Sequence, residues 1–136
     1  MSAIIPQSHR DLLERPITVM LVTLMPDHQP QASPVWCSYD GARILVNTVR
    51  GRQKDRNMSA RPQVTLLAID PDDSYRYIEV RGVVDEITED GAWEHMNSLS
   101  ARYAGKDDFY DGLPEYRRQE TRVIYKIKPV HVNTTG

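Results

Sequence analysis

The chain has 136 residues, 40% of them hydrophobic and 26% charged, with a formal net charge of −2. That fits one globular domain able to bury a core without staples, while a single cysteine, Cys37, excludes an internal disulfide and no Cys/His spacing resembles a zinc or other metal site. The basic residues gather in one patch rather than over a face, which argues against general nucleic-acid binding, and residues 1–10 hold no apolar run long enough for a signal peptide or a membrane span, so a cytoplasmic protein is expected.

In chain order, residues 11–15 read as a short helix closed by Pro16, with Ser8 at the N-cap position, lying over a barrel end. Residues 17–24 are apolar and β-branched on both parities, as in a strand buried on both faces. A turn at 25–30 leads to a second strand, 31–39, where Pro34 lacks an N–H and so marks an edge or a bulge. Asp40-Gly41 is a tight-hairpin signal into a third strand, 43–48. Beyond a basic segment come strands at 64–70 and 75–87, the latter with Tyr77, Glu79 and Arg81 on one face, Ile78 and Val80 on the other, and Gly82 at a bend. Residues 89–104 form the one long helix, its stripe of Ala92, Met96, Leu99 and Tyr103 plugging the sheet and Gly105 closing its end. Residues 106–116 read as a loop with short helical turns, and 122–132 as a last strand bent at Pro129. Six strands, mostly in hairpins, with one crossing helix give a mainly β fold: a single domain over residues 1–136, an antiparallel barrel with flanking helices. Cys37 reads as a small buried residue, and the scattered His9, His28, His95 and His131 as surface or capping histidines.

The segment from Arg50 to Arg61 stands apart. Five cations (Arg50, Arg52, Lys54, Arg56, Arg61) against Asp55 leave it at +4, so the remainder of the chain carries −6. It follows a strand, crosses Gly51 and enters a short helix, where cations oppose the macrodipole and free N–H groups favour an anion. Such a charge run can be a solvated turn, but the strand-Thr48-Gly51-helix context favours a phosphate or carboxylate site.

Several blocks together resemble a known family: Ala32-Ser33-Pro34-Val35-Trp36, Asp40-Gly41, Thr48-x-x-Gly51-Arg52-x-Lys54-x-Arg56-Asn57-Met58, Arg61-Pro62-Gln63-Val64, Val80-Arg81-Gly82, Tyr103-x-Gly105-x-Asp107 and Ile127-x-Pro129-x-His131-Val132. The pattern is similar to the split β-barrel flavin and deazaflavin oxidoreductases, the pyridoxamine-phosphate-oxidase-like superfamily, and within it to the small branch that uses coenzyme F420. The resemblance implies a homodimer with the tricyclic ring at the subunit interface. It also implies a tail held by Thr48, Arg52, Lys54 and Asn57, with Arg50 and Gly51 in the same block, and a ring backed by Ser33, Pro34, Val35 and Trp36. The residues themselves support the basic block, since Arg and Lys offer charge-assisted bonds to phosphate, but leave Trp36 equally a core aromatic.

Val35 and Tyr39, on a strand with an open end, have too few partners in one chain, which also points to a dimer. The implied activity is F420-dependent hydride transfer to a small unsaturated organic substrate. An FMN-dependent oxidase or flavin reductase and a non-catalytic F420 or flavin carrier are the alternatives. No side chain stands out as a general acid, so no catalytic residue is assigned, and neither nucleic acid nor a membrane is an expected partner.

Overall fold

Alternation along the strands decides which side of the sheet becomes the core. Val19, Leu21 and Thr23 of β1 (Val19–Leu24), Ile44, Val46 and Thr48 of β4 (Ile44–Val49), Val64, Leu66 and Ala68 of β5 (Gln63–Asp70), Ile78 and Val80 of β6 (Asp73–Thr88) and Val123, Tyr125 and Ile127 of β7 (Arg122–Thr135) are all buried. Because successive side chains point to opposite faces, one face of each strand enters a common interior. The computed structural model describes residues 3–136.

The sheet has seven strands in the order β2-β1-β5-β6-β7-β4-β3, every pairing antiparallel. The expected second strand is two strands, β2 (Pro30–Val35) and β3 (Cys37–Tyr39), and they form opposite edges of the sheet. Between them lies only Trp36, so the barrel is closed by chain continuity and not by an eighth ladder. A hydrogen-bonded ladder cannot turn through so sharp a change of partner, and the strand breaks there. Pro34 lies on the edge strand β2, opposite Met20, where its missing N–H costs no ladder bond to a further strand.

Three helices flank the sheet. α1 (Asp11–Glu14) inserts Leu12 and Leu13 beside Ile5 at one end of the core. Ser8 does not cap it: its hydroxyl meets His9 Nδ1 at 2.8 Å, and buried His9 donates from Nε2 to the Thr135 carbonyl at 2.9 Å, tying the two chain ends together. α2 (Gln53–Ala60) carries the basic segment. α3 (Ala92–Ala104) starts three residues later than expected, because β6 continues to Thr88. Its end is as read, with Gly105 at φ 70° donating to Ala101.

Two expectations about burial change. β1 is buried on one face only; Met20, Val22 and Leu24 are half-covered on the outside. Val35 is 7% exposed and belongs to the core cluster, with Tyr39 packed against it, so neither lacks partners within the chain. The apolar groups left outside are elsewhere, in a groove of about 420 Å³ along β1, β5 and β6 whose walls include Val22, Leu24, Val83 and Val130.

The bend at Gly82 has a definite cause. Arg81 pairs with His131 but Gly82 with Pro129, which leaves Val130 bulged out of the ladder. A Cβ at position 82 would stand 2.6 Å from Ile127 Cγ2 and 2.8 Å from the Lys128 carbonyl oxygen. Gly82→Ala is therefore expected to destabilise the fold by about 1–3 kcal/mol, the range for overpacking a filled site. An unchanged urea midpoint would show that β6 and β7 can separate at the bulge without cost.

Candidate functional site

The basic segment is organised by its one acid. Asp55, 6% exposed, accepts from the Gly51 N–H (2.9 Å), the Arg50 guanidinium (3.1 Å) and the Tyr125 hydroxyl. Gly51 reaches φ +96°, a conformation that side chains rarely adopt, and so lets the chain turn from β4 into α2. Tyr125 also meets Ser59 at 2.7 Å, so one β7 side chain grips both turns of the helix. Burial works to raise the Asp55 pKa, but its bonds to Tyr125, Gly51 and Arg50 outweigh that and hold it below the ordinary carboxylate value. Burial, followed by the Asp55 contact, pushes the Tyr125 phenol up to about 12.

With Asp55 occupied internally, the cations sort by direction. Arg50 is bound to Asp55 and Glu89, and Arg56 to the Gly51 carbonyl and Gln53. Arg52 and Lys54 instead line a cleft of about 350 Å³, where Arg117 and Arg122 join them. Among the described residues neither Arg52 nor Lys54 donates a side-chain hydrogen bond; Arg52 has Glu120 at 3.9 Å, and Lys54 has no ion-pair partner. Lys54 has its pKa lowered by burial first and then by Arg52 and Arg122. Arg52 is lowered likewise, by burial and then Arg122. Cations that depress one another without filling their donors describe a place built for an anion. α2 adds to this, since its N-terminus has no side-chain cap.

The opposite wall is apolar and aromatic. Pro34, Val35, Trp36, Met96, Leu99 and Phe109 line it. Trp36 stacks on Tyr103 with centroids 5.0 Å apart and 13° between planes, and meets Phe109 edge-on at 6.2 Å. The Tyr103 hydroxyl accepts from Cys37 N–H (3.2 Å) and donates to the Ile17 carbonyl (2.8 Å), satisfying backbone groups at the barrel seam. Cys37 beside it is fully buried, its thiol pushed up to about 11 by burial, as an inert core residue should be.

A polar floor joins the two walls. Asn47 donates to the Ala92 carbonyl (2.8 Å) and to His95 Nδ1 (3.1 Å), and its Oδ1 faces Arg122 at 3.4 Å. His95 accordingly carries its proton on Nε2 and gives it to Ser38 Oγ at 2.9 Å; burial and then the Arg102 charge push its pKa down to about 4, so the ring is neutral. It is a half-buried strut and not the surface or capping histidine that its isolation in the sequence suggests. Arg122 is 6% exposed, bonded to the Tyr110 hydroxyl at 2.8 Å and lying 4.9 Å from the Phe109 centroid.

Of the ten residues expected at the site, Pro34, Val35, Trp36, Arg52 and Lys54 line the cleft and the other five do not. Thr48 shares the inward parity of Ile44 and Val46, so its hydroxyl is buried without a partner, and its neighbour Asn47 is the β4 side chain in the cleft. Asn57 is fully buried and bonds Thr23 (3.0 Å), Gln31 (3.2 Å) and Gln53 (2.8 Å), which fastens α2 to the β1–β2 hairpin. Arg50 and Gly51 shape the turn, and Ser33 sits two residues back from Val35 on β2. Met96 and Leu99 do more than plug the sheet, since both face the cleft. Arg117 and Arg122 went unread, although Arg117, Arg118 and Arg122 form a second, weaker basic run in the sequence.

The sequence profile of the family described as pyridoxamine 5'-phosphate oxidase matches residues 5–136. A structure described as an F420 reductase is 36% identical, with a TM-score of 0.82 over 95% of this chain and 98% of that one. A conserved hypothetical protein from Mycobacterium tuberculosis is 25% identical, with a TM-score of 0.71 over 98% of this chain and 86% of that one. HupZ of Group A Streptococcus, at 16% identity, TM-score 0.65 and coverage of 96% and 94%, shares the fold. No curated protein matches the chain.

The Asp55 anchor yields a test with a sign. An acid whose folded pKa is depressed adds stability that is complete above its unfolded value of about 3.9 and is lost as pH falls through the folded value. Asp55→Asn should cost about 1.5–3 kcal/mol at neutral pH, the range for hydrogen bonds to charged groups. The gap to the parent should close in acid, as urea titrations at several pH values would reveal. A gap independent of pH would deny the carboxylate this role.

Proposed function

The chain belongs to the pyridoxamine 5'-phosphate oxidase family, and from that premise we propose that it is an oxidoreductase that binds coenzyme F420 in the cleft and reduces a small unsaturated organic molecule. The observation that carries this reading is that four cations, Arg52, Lys54, Arg117 and Arg122, share one cleft with apolar and aromatic side chains. The residues present suit a ligand with a flat apolar ring and an anionic tail. Trp36, Val35, Met96 and Leu99 exclude water from one side, while Arg52 and Lys54 hold unfilled donors on the other. A bound deazaflavin would supply hydride transfer there; position, dryness and charge are the protein's share.

Within that division of labour the side chains have separate tasks. Lys54 acts as a compact charge with three rotatable donors, and Arg52 as a planar fork matched to phosphate or carboxylate oxygens. Arg122, fixed by Tyr110, Asn47 and the Phe109 face, contributes a charge that cannot move away from the cleft. Neutral His95 holds Asn47 in place and adds no further positive charge. The choice of F420 over FMN rests on this cationic surplus, which suits a phosphate followed by several carboxylates better than one phosphate. The same reading takes the chain as a cytoplasmic homodimer, for which the outer groove, with Val22, Leu24 and Val83 half-buried and Val130 exposed, offers an apolar face.

Lys54→Ala and Arg52→Ala should each weaken cofactor binding by about 1.5–3 kcal/mol with little loss of fold stability. Separate fluorescence titrations with F420 and FMN carry the main test. F420 should bind more tightly at low salt and lose that advantage as salt screens its exposed tail charges, over a Debye length of about 8 Å at physiological ionic strength. Tighter FMN binding at every salt concentration would assign the site to a flavin. Binding of F420 without substrate-dependent oxidation of its reduced form would make the protein a carrier. Light scattering that shows a monomer at micromolar concentration would remove the dimer.

A further inference from the structure

One acid, Glu120, sits beside three of the four cations of the cleft. Glu120 lies in the two-residue link between a 3-10 turn (Glu115–Gln119) and β7, with its side chain 17% exposed. Its Oε2 accepts from the Tyr110 hydroxyl at 2.8 Å and faces Arg117 Nη2 and Arg122 Nη2 at 3.4 Å each. Its Oε1 accepts from Arg117 Nε and lies 3.9 Å from Arg52 Nη2. Three guanidinium groups from α2's entry, the 3-10 turn and the start of β7 therefore converge on one carboxylate.

We propose that Glu120 is the built-in occupant of the anion site: a carboxylate that holds the arginines together when no ligand is present and that an incoming phosphate-class anion displaces.

The contact distances fit a provisional partner better than a permanent one. Only Arg117 Nε and the Tyr110 hydroxyl are at close range, whereas Arg122 and Arg52 stand back at 3.4 and 3.9 Å, and Lys54 has no share in the carboxylate. Arg122 already has the Tyr110 hydroxyl and two aromatic faces, so it does not need Glu120 to be held in place. A doubly charged tetrahedral anion offers more acceptors than a carboxylate and could be met by Arg52 and Lys54 as well. Burial works to raise the Glu120 pKa, but Arg117 and Tyr110 outweigh it and keep the group ionised. The remaining charged neighbours that face it are Arg52 and Arg122.

This role rests on the reading that the cluster receives an anion, and it makes the opposite prediction from a purely structural one. A supporting carboxylate would be missed, because its removal would let Arg117 drift and weaken binding. A competing carboxylate would not be missed. The probe is inorganic sulfate, whose charge does not change over the working pH range, titrated calorimetrically into the parent, Glu120→Gln and Lys54→Ala. The expected result is that E120Q binds sulfate about tenfold more tightly than the parent and K54A more weakly. By linkage, a tenfold gain corresponds to a rise of about one unit in the Glu120 titration midpoint when sulfate is bound. The side-chain carboxyl carbon resonance of Glu120 in the parent protein reports that midpoint, and so covers the case in which E120Q does not fold. Sulfate that binds the parent and is weakened by K54A, but gains nothing from E120Q and leaves the Glu120 midpoint unmoved, overturns the counter-ion role and leaves the anion site intact. Sulfate bound by neither the parent nor E120Q overturns both.

Discussion

The site depends first on the ion pair and hydrogen bonds of Asp55. A two-turn helix that starts with cations works against its own dipole and is too short to be stable alone. Asp55 solves this from within the helix, by binding the preceding turn at Gly51 and Arg50 and the barrel wall at Tyr125. The same contact removes the segment's only negative charge from the cleft. What the segment leaves toward the cleft is cationic, so one residue both secures the helix and sets the sign of the segment's field beside it.

The sequence was most readable where a backbone rule acts locally. Gly105 and Pro34 each carry a conformational demand that needs no distant partner, and each sits at the feature it announced: a helix end and a sheet edge. Face assignments along β6 held for the same reason, since period-two alternation is a property of the strand itself. The charge run by itself marks the basic block, and the family pattern names Pro34, Val35 and Trp36, which line the cleft.

Legibility failed where the answer depended on which residue two elements share. Thr48 and Asn47 are both polar, and only the parity set by buried Ile44 and Val46 tells that Asn47 faces the cleft. Asn57 looks like a ligand residue in the linear pattern, yet it is used to join α2 to the β1–β2 hairpin. Arg122 reads as the polar start of a strand and turns out to be a nearly buried charge, because the register of β4 with β7 sets it opposite Val49 and beside Asn47. The Asn57 and Arg122 pairings have no local signature, since each is fixed by tertiary packing.

The single-residue join at Trp36 has a consequence for how the protein reaches its native state. The cleft takes its walls from β2, β4, β7, α2 and α3, and contacts such as Asn47 with Arg122 link positions 75 residues apart. Chain entropy must be spent before such pairings return anything, so high-contact-order elements come together late in folding. Until α3 has docked at the join between β2 and β3, Trp36 has no Tyr103 to stack on. The two halves of the cleft thus differ in how they arise: the charged cluster of residues 110–122 is assembled from near neighbours in the chain, whereas the aromatic half at Trp36 is complete only in the assembled barrel.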